Sequence, residues 1–180
     1  MKLRILIPLL VLCTAATVWA GGSVELSPEE AEDGFTKVEA QDIELRWRVD
    51  GQEIDFVVSA PTTGWVAIGF DPSTAMKDAQ MIYGFVRNGA VTVRDQYGDG
   101  PFSHKSDTEL GGSSDIISSG GSEENGRTTI RFTIPIDSGD AYDVPLTPGE
   151  EHKVLLAYGP DGEDNFTAKH AFRVSAALRL

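Results

Sequence analysis

An antiparallel all-β fold is predicted by three observations: period-two alternation, hairpin turn dipeptides between the alternating runs, and no long amphipathic helical pattern. Ile43, Leu45, Trp47 and Val49 fall on one face of an extended run, and Glu44, Arg46 and Arg48 fall on the other. Asp50-Gly51 supplies a hairpin turn, after which Ile54, Phe56 and Val58 resume the alternation. Gly64 to Phe70 is continuously apolar, as a strand covered on both faces would be. A second hairpin joins Met81–Val86 to Val91-Thr92-Val93 through Asn88-Gly89. Alternation returns over Thr128 to Ile134, and further strands are expected at Lys153–Tyr158 and Ala171–Val174. Seven or more short strands with such turns define a sandwich or a barrel.

Two segments stand outside this pattern. From Gly98 to Gly126 there are seven glycines and seven serines in 29 residues, which predicts a long irregular connection with at most a short strand at Asp115-Ile116-Ile117. Residues 21–41 are polar and acidic and are expected to form a lead-in, either loose or with a short helical turn begun at Ser27-Pro28-Glu29. The remainder, residues 42–180, is expected to be one sandwich domain.

The first twenty residues look like an address rather than a structure. Lys2 and Arg4 precede an apolar run from Ile5 to Val18, and Val18-Trp19-Ala20 offers a peptidase site. The run is short of the roughly 20 apolar residues of a spanning helix. Residues 1–20 are therefore expected to be a cleaved signal, with an uncleaved anchor as the competing reading, and the mature chain to be periplasmic or extracellular.

Cleavage would remove Cys13, the only cysteine. The mature domain would then hold no disulfide, thiolate zinc site, iron–sulfur cluster or covalently attached haem. It would also keep 13 basic residues against 28 acidic ones, a net charge of −15. Such a surface disfavours nucleic acid and anionic lipid and suits either solubility or docking on a basic partner.

Two residues carry the chemistry. Met76 follows the turn-rich Asp71-Pro72-Ser73-Thr74, and His170 precedes the last expected strand. A thioether and an imidazole are the axial ligands of haem iron in electron-transfer cytochromes. By residue type alone, the favoured readings are an exposed or gap-filling loop methionine at Met76 and a solvated surface residue at His170. Met81 lies inside a strand and reads as core; His104 sits on the long glycine-rich connection and is the rival histidine; His152, beside Glu150 and Glu151, reads as surface. Trp65, Tyr83, Phe102 and Tyr158 are candidate pocket aromatics, with ordinary core packing as the competing role.

The ordered set Gly64-Trp65-Val-Ala-Ile-Gly-Phe70, Met76-Lys-Asp-Ala-Gln-Met-Ile-Tyr-Gly-Phe85, the Gly-Ser-Glu-Glu-Asn-Gly approach to Arg127, and Leu156-Ala-Tyr-Gly159 followed by His170 resembles the DOMON domain family. That family includes the cytochrome domain of cellobiose dehydrogenase. The resemblance spans about Ile43 to Val174 and implies an immunoglobulin-like antiparallel β-sandwich. In the haem-binding branch, a methionine shortly after the Gly-Trp strand and a histidine before the last strand ligate a b-type haem. Carried over, these are Met76 and His170. The resemblance thus implies a noncovalent b-type haem and a one-electron relay, not a stand-alone enzyme, working with a separate redox protein such as a dehydrogenase or a membrane cytochrome.

Other function classes have thinner support. Some DOMON members are thought to bind sugars or other ligands without haem, so a haem-free carbohydrate or small-ligand module is the main alternative. Copper suits methionine and histidine, but there is no methionine-rich run. Asp161-Gly-Glu-Asp-Asn165 is oxygen-rich but lacks EF-hand spacing and reads as a solvated turn. No Gly-x-Ser-x-Gly elbow or metalloprotease histidine pair is present. Asn165-Phe166-Thr167 is a glycosylation sequon, expected to be unused so close to His170.

Overall fold

The computed structural model describes residues 24–31 and 33–180, so the expected signal over residues 1–20, with Cys13, lies outside the described residues. Thirteen strands and one helical turn follow in order. β1 (Val24–Glu25), β2 (Glu29–Glu30) and β3 (Thr36–Ala40) come first. The segment expected as a loose or helical lead-in is therefore partly sheet. Its strand signal is only Val38 and Ala40, which point inward between the polar Lys37 and Glu39. Two apolar residues are too few for alternation to show, and pairing with the next strand decides the conformation.

The two expected hairpins are present. β4 (Ile43–Asp50) and β5 (Glu53–Ala60) are joined across Gly51, whose φ of +64° sets the turn. β6 (Val66–Phe70) is buried throughout. β7 (Gln80–Arg87) and β8 (Ala90–Gly100) are joined by Asn88-Gly89 with φ of +52° and +76°, the left-handed pair a type I′ turn requires.

The glycine- and serine-rich connection differs from expectation. It holds the end of β8, β9 (Ser103–Ser106), the helical turn α1 (Asp107–Leu110) and β10 (Ser118–Glu124). The short strand expected at residues 115–117 begins instead at Ser118. β10 pairs along its whole length with β11 (Arg127–Pro135), through a left-handed Asn125-Gly126 turn. It is an edge strand with no apolar side chain, so hydrophobic alternation could not reveal it. Glycine is required at Gly121, where a Cβ would lie 2.4 Å from the Thr129 carbonyl oxygen. β12 (Glu151–Tyr158) and β13 (Phe172–Arg179) complete the chain.

The strands form two sheets. One has the order β1-β13-β12-β6-β7-β8-β9, the other β10-β11-β5-β4-β3-β2. Every pairing is antiparallel except that of β1 with β13. Between the sheets lies a core centred on Phe56, which packs against Phe70 at 5.2 Å and Phe132 at 5.4 Å between ring centroids. Ile43, Leu45, Ile68, Ile130 and Leu156 close around them, each essentially without solvent exposure. The result is the antiparallel β-sandwich that the sequence predicts.

Candidate functional site

A second apolar cluster lies outside the sandwich core. Strand alternation sends Val66, Ile68 and Phe70 of β6 inward and leaves Ala67 on the outer face of the seven-stranded sheet. On β7, Ile82 and Val86 point inward while Met81, Tyr83 and Phe85 join Ala67 outside. Trp65, Ala79 and Ala157 extend this outer patch, and Trp65 packs on Tyr83 at 5.2 Å. An outer sheet face is ordinarily polar. Here it is apolar and covered by two loops.

The loops arrive from opposite ends of the sheet. Residues 71–79 leave the C-terminal end of β6, whereas residues 159–171 leave the C-terminal end of β12, which runs antiparallel to β6 with Tyr158 opposite Val66. The two exits are therefore about 13 Å apart along the strands. Met76 from the first loop and Phe166 and Ala168 from the second all pack against the patch.

The first loop is a tightly held tongue. Asp71, at φ +48°, accepts the His152 Nδ1 proton at 2.7 Å and the Lys153 N–H at 2.8 Å, which ties the loop's root to β12. Its far side is zipped to β8: Asp78 N–H donates to the Gly98 carbonyl at 2.8 Å, and Gly98 N–H donates to the Ala79 carbonyl at 2.9 Å. The Met76 N–H reaches the Pro101 carbonyl at 3.3 Å. Tyr97 Oη donates to Asp78 Oδ1 at 3.1 Å, and Lys77 pairs with the same carboxylate at 2.8 Å. These bonds and the Lys77 charge hold Asp78 below the usual carboxylate range. Met76 is half-buried at the tip.

The second loop is anchored by side chains. Asn165 Oδ1 accepts the N–H groups of Thr167 (3.0 Å) and Ala168 (2.8 Å), an Asx turn that aims Phe166 and Ala168 at the sheet. Phe166 lies 5.0 Å from Phe85 and edge-on to Tyr83 at 6.3 Å. Arg94 covers its other face at 4.7 Å, and Arg87 bonds to Asp164. The loop's root is fixed by Thr62: its Oγ1 donates to the Gly159 carbonyl at 2.8 Å and accepts the Gly64 N–H at 2.9 Å. Replacing Thr62 with valine would orphan both buried groups and is expected to cost about 2 kcal/mol, measurable as a lower urea midpoint at unchanged slope.

His170 stands two residues beyond Ala168, exposed at the loop's end, where the Ala171 N–H binds the Tyr158 carbonyl at 2.8 Å. Partial burial and the charges of Arg173 and Lys169 hold its pKa below the ordinary histidine value, which favours a neutral ring. Met76 and His170 thus sit on the two loops that cover one patch; Met76 packs against it, whereas His170 is exposed at the end of its loop.

The other candidates sort clearly. His104, on β9, stacks on Tyr83 at 4.7 Å with planes 18° apart and bonds through Nδ1 to Gln96 Oε1, so it lies over the patch itself. Burial lowers its pKa, against an opposing pull from Asp99. Sequence reading left it on an irregular loop because β9 has no apolar alternation. His152 is not a surface residue: it is 4% exposed, and the alternation His152, Val154, Leu156 carries the signal that its acidic neighbours concealed. Met81 is buried, but in the outer patch. Trp65 and Tyr83 line the patch, whereas Tyr158 stacks on Phe172 at the core side and Phe102 is 85% exposed.

The molecule is an antiparallel sandwich with an apolar bed outside one sheet, flanked by two structured loops. The chain belongs to the DOMON domain family, whose match covers residues 39–159. It is 32% identical over 137 residues to "DBH-like monooxygenase protein 2" of Mus musculus and 28% identical over 138 residues to "DBH-like monooxygenase protein 1" of Homo sapiens. These alignments take in 74% and 76% of this chain but 21% and 22% of those proteins, so the chain spans about a fifth of their length.

Two solved structures share the fold. The cytochrome b domain of pyranose dehydrogenase from Coprinopsis cinerea aligns with a TM-score of 0.58 at 11% identity, over 85% of this chain and 80% of that one. The cytochrome domain of Myriococcum thermophilum cellobiose dehydrogenase aligns with a TM-score of 0.56 at 10% identity, over 86% and 88%. No helix among the described residues is long and apolar enough to cross a membrane.

Proposed function

We propose that this DOMON domain binds a b-type haem noncovalently on the outer patch, with Met76 and His170 as axial ligands, and passes single electrons to a separate redox protein. The observation that carries this reading is the convergence of two loops from opposite sheet ends on one apolar bed, one bringing a thioether and the other an imidazole. The patch joins aromatic side chains, Trp65, Tyr83 and Phe85, to small ones, Ala67 and Ala79, an apolar lining that suits a flat apolar group. A buried Trp65 Nε1 without a partner leaves a donor beside it.

A haem held there by the Met76 thioether and the His170 imidazole would supply one-electron transfer, at a higher potential than with two imidazoles. The protein's own contribution is rigidity and dryness. The Asp71–His152 and Gly98 contacts fix the Met76 loop, while the Asx turn and Arg94 press the Phe166 loop onto the sheet. Export places the electron partner outside the cytoplasm; a dehydrogenase or a membrane cytochrome is the class of partner proposed. We read the domain as a carrier rather than a catalyst, and the monooxygenase names belong to relatives of which this chain spans about a fifth.

His104 is the specific competitor for His170, because it already stacks on Tyr83 and has Nδ1 engaged by Gln96, the arrangement that orients a metal-binding imidazole. Absorption spectra before and after dithionite, on protein made with haem available, separate the readings. Wild type is expected to show sharp reduced α and β bands. Met76→Ala should shift or abolish the reduced low-spin spectrum, His170→Ala should lose most haem, and His104→Ala should retain the bands. Loss with His104→Ala but not His170→Ala would move the ligand to His104. Protein absorption alone, unchanged after haem titration, would overturn the cytochrome and favour a haem-free small-ligand module.

A further inference from the structure

Away from the outer patch, three carboxylates that are distant in sequence meet in the interior. Asp95 comes from β8, Asp107 from α1, and Asp143 from the connection between β11 and β12. One oxygen from each lies within 4.8 Å of the others. Asp107 has no solvent exposure and Asp95 only 2%.

The hydrogen bonding around them is one-sided. Asp95 Oδ2 accepts the Asp115 N–H at 2.9 Å, and Asp143 Oδ2 accepts the Ser138 hydroxyl at 2.6 Å. Asp95 Oδ1, Asp143 Oδ1 and both oxygens of Asp107 have no partner, and all four are buried. None of the ion pairs among the described residues reaches the trio. Asp115 and Asp140 add further negative charge nearby. Burial, reinforced by this like charge, raises Asp95 to about 7, Asp107 to about 8 and Asp143 to about 6.

Buried carboxylates are ordinarily paired with cations or coordinate metals, because an unpartnered charge in the interior is costly. Here Oδ2 of Asp95 and of Asp143 is engaged by a donor, which leaves Oδ1 of each buried and free to bind a cation. We propose that Asp95, Asp107 and Asp143 form a calcium site that ties β8 to α1 and to the connection after β11. The ligands are all oxygen, which selects a hard cation over zinc or copper. Their mutual separations fit a calcium sphere, where oxygens at about 2.4 Å from the ion stand up to about 4.8 Å apart. The site is separate from the Asp161–Asn165 turn and independent of haem.

The test is calorimetric titration of chelator-treated protein with calcium chloride, alongside thermal melting in calcium, magnesium or chelator. One calcium ion per chain is expected, with a raised melting temperature. Asp107→Asn, which keeps the side-chain shape, should abolish the binding heat while still melting cooperatively in chelator. Asp95→Asn is the second variant should Asp107→Asn fail to fold, and the same loss of heat is expected. Asp161→Asn should bind like wild type. Neither heat nor stabilisation at about 5 mM calcium, beyond the range of weak extracellular sites, would overturn the proposal. So would binding that survives the Asp107 or Asp95 change, or a response to magnesium alone.

Discussion

Gly98→Ala is expected to destabilise the protein by at least about 3 kcal/mol and to displace Met76 from the outer patch. A Cβ at residue 98 would stand 1.7 Å from the Met76 carbonyl oxygen and 2.7 Å from its carbonyl carbon. Both are backbone atoms, so no side-chain rotation relieves the overlap; either the tongue lifts or β8 bends. Lifting the tongue also breaks the two bonds that zip Asp78 and Ala79 to Gly98. Gly120→Ala is the matched control, since nothing lies within 4 Å of its added Cβ. It should stay within about 0.5 kcal/mol of wild type. Urea unfolding of both variants reads the stability, and reduced-minus-oxidised spectra of haem-supplied protein read the Met76 position. Equal midpoints for the two variants would show that the tongue is not seated as described.

Phe56→Ala and Phe85→Ala are expected to separate folding from function. Phe56 is 1% exposed at the centre of the inter-sheet core, between Phe70 and Phe132. Its truncation should leave a cavity and cost about 4 kcal/mol, with haem binding following only the folded fraction. Phe85 lies on the outer face with Phe166 on one side and Arg87 at 5.3 Å on the other. Because Phe85 is 8% exposed and lies outside the inter-sheet core, Phe85→Ala should cost about half as much stability yet weaken haem retention in fully folded protein. Chemical denaturation paired with haem titration measures both axes. A Phe85 variant with unchanged haem affinity would separate the apolar bed from the binding site.

The sandwich was legible wherever side-chain alternation and turn chemistry coincide. Leu45, Trp47, Phe56 and Ile130 are spaced for a buried face, and Asn88-Gly89 marks a turn that needs two left-handed residues. Where pairing rests on the backbone alone, the sequence is silent. β10 is built from Ser, Gly and Glu, and β3 offers two inward residues, so neither carries a periodic signal. The same division runs through the candidate sites. Met76 and His170 were singled out because the resemblance places a ligand beside each of two recognisable strands, and their roles remain proposals. His104 was underweighted because its contact with Tyr83 depends on β9, which alternation does not show. The Asp95, Asp107 and Asp143 cluster was invisible, since its members share no local pattern and meet only when the connection after β8 folds back over the sheet.

The pairing of β1 with β13 sets a limit on when the sheet can close. Val24 aligns with Ala176, so two strands at opposite extremes of the described chain are immediate neighbours. A polypeptide emerging from the ribosome presents β1 long before its mate, and the parallel ladder between them has to wait until β13 is made. Contacts this distant in sequence carry a large closure entropy and slow the final step of folding. The six-stranded sheet, which needs nothing beyond Pro135, is free to assemble first and serve as the template onto which the seven-stranded sheet, with its outer apolar patch, is completed.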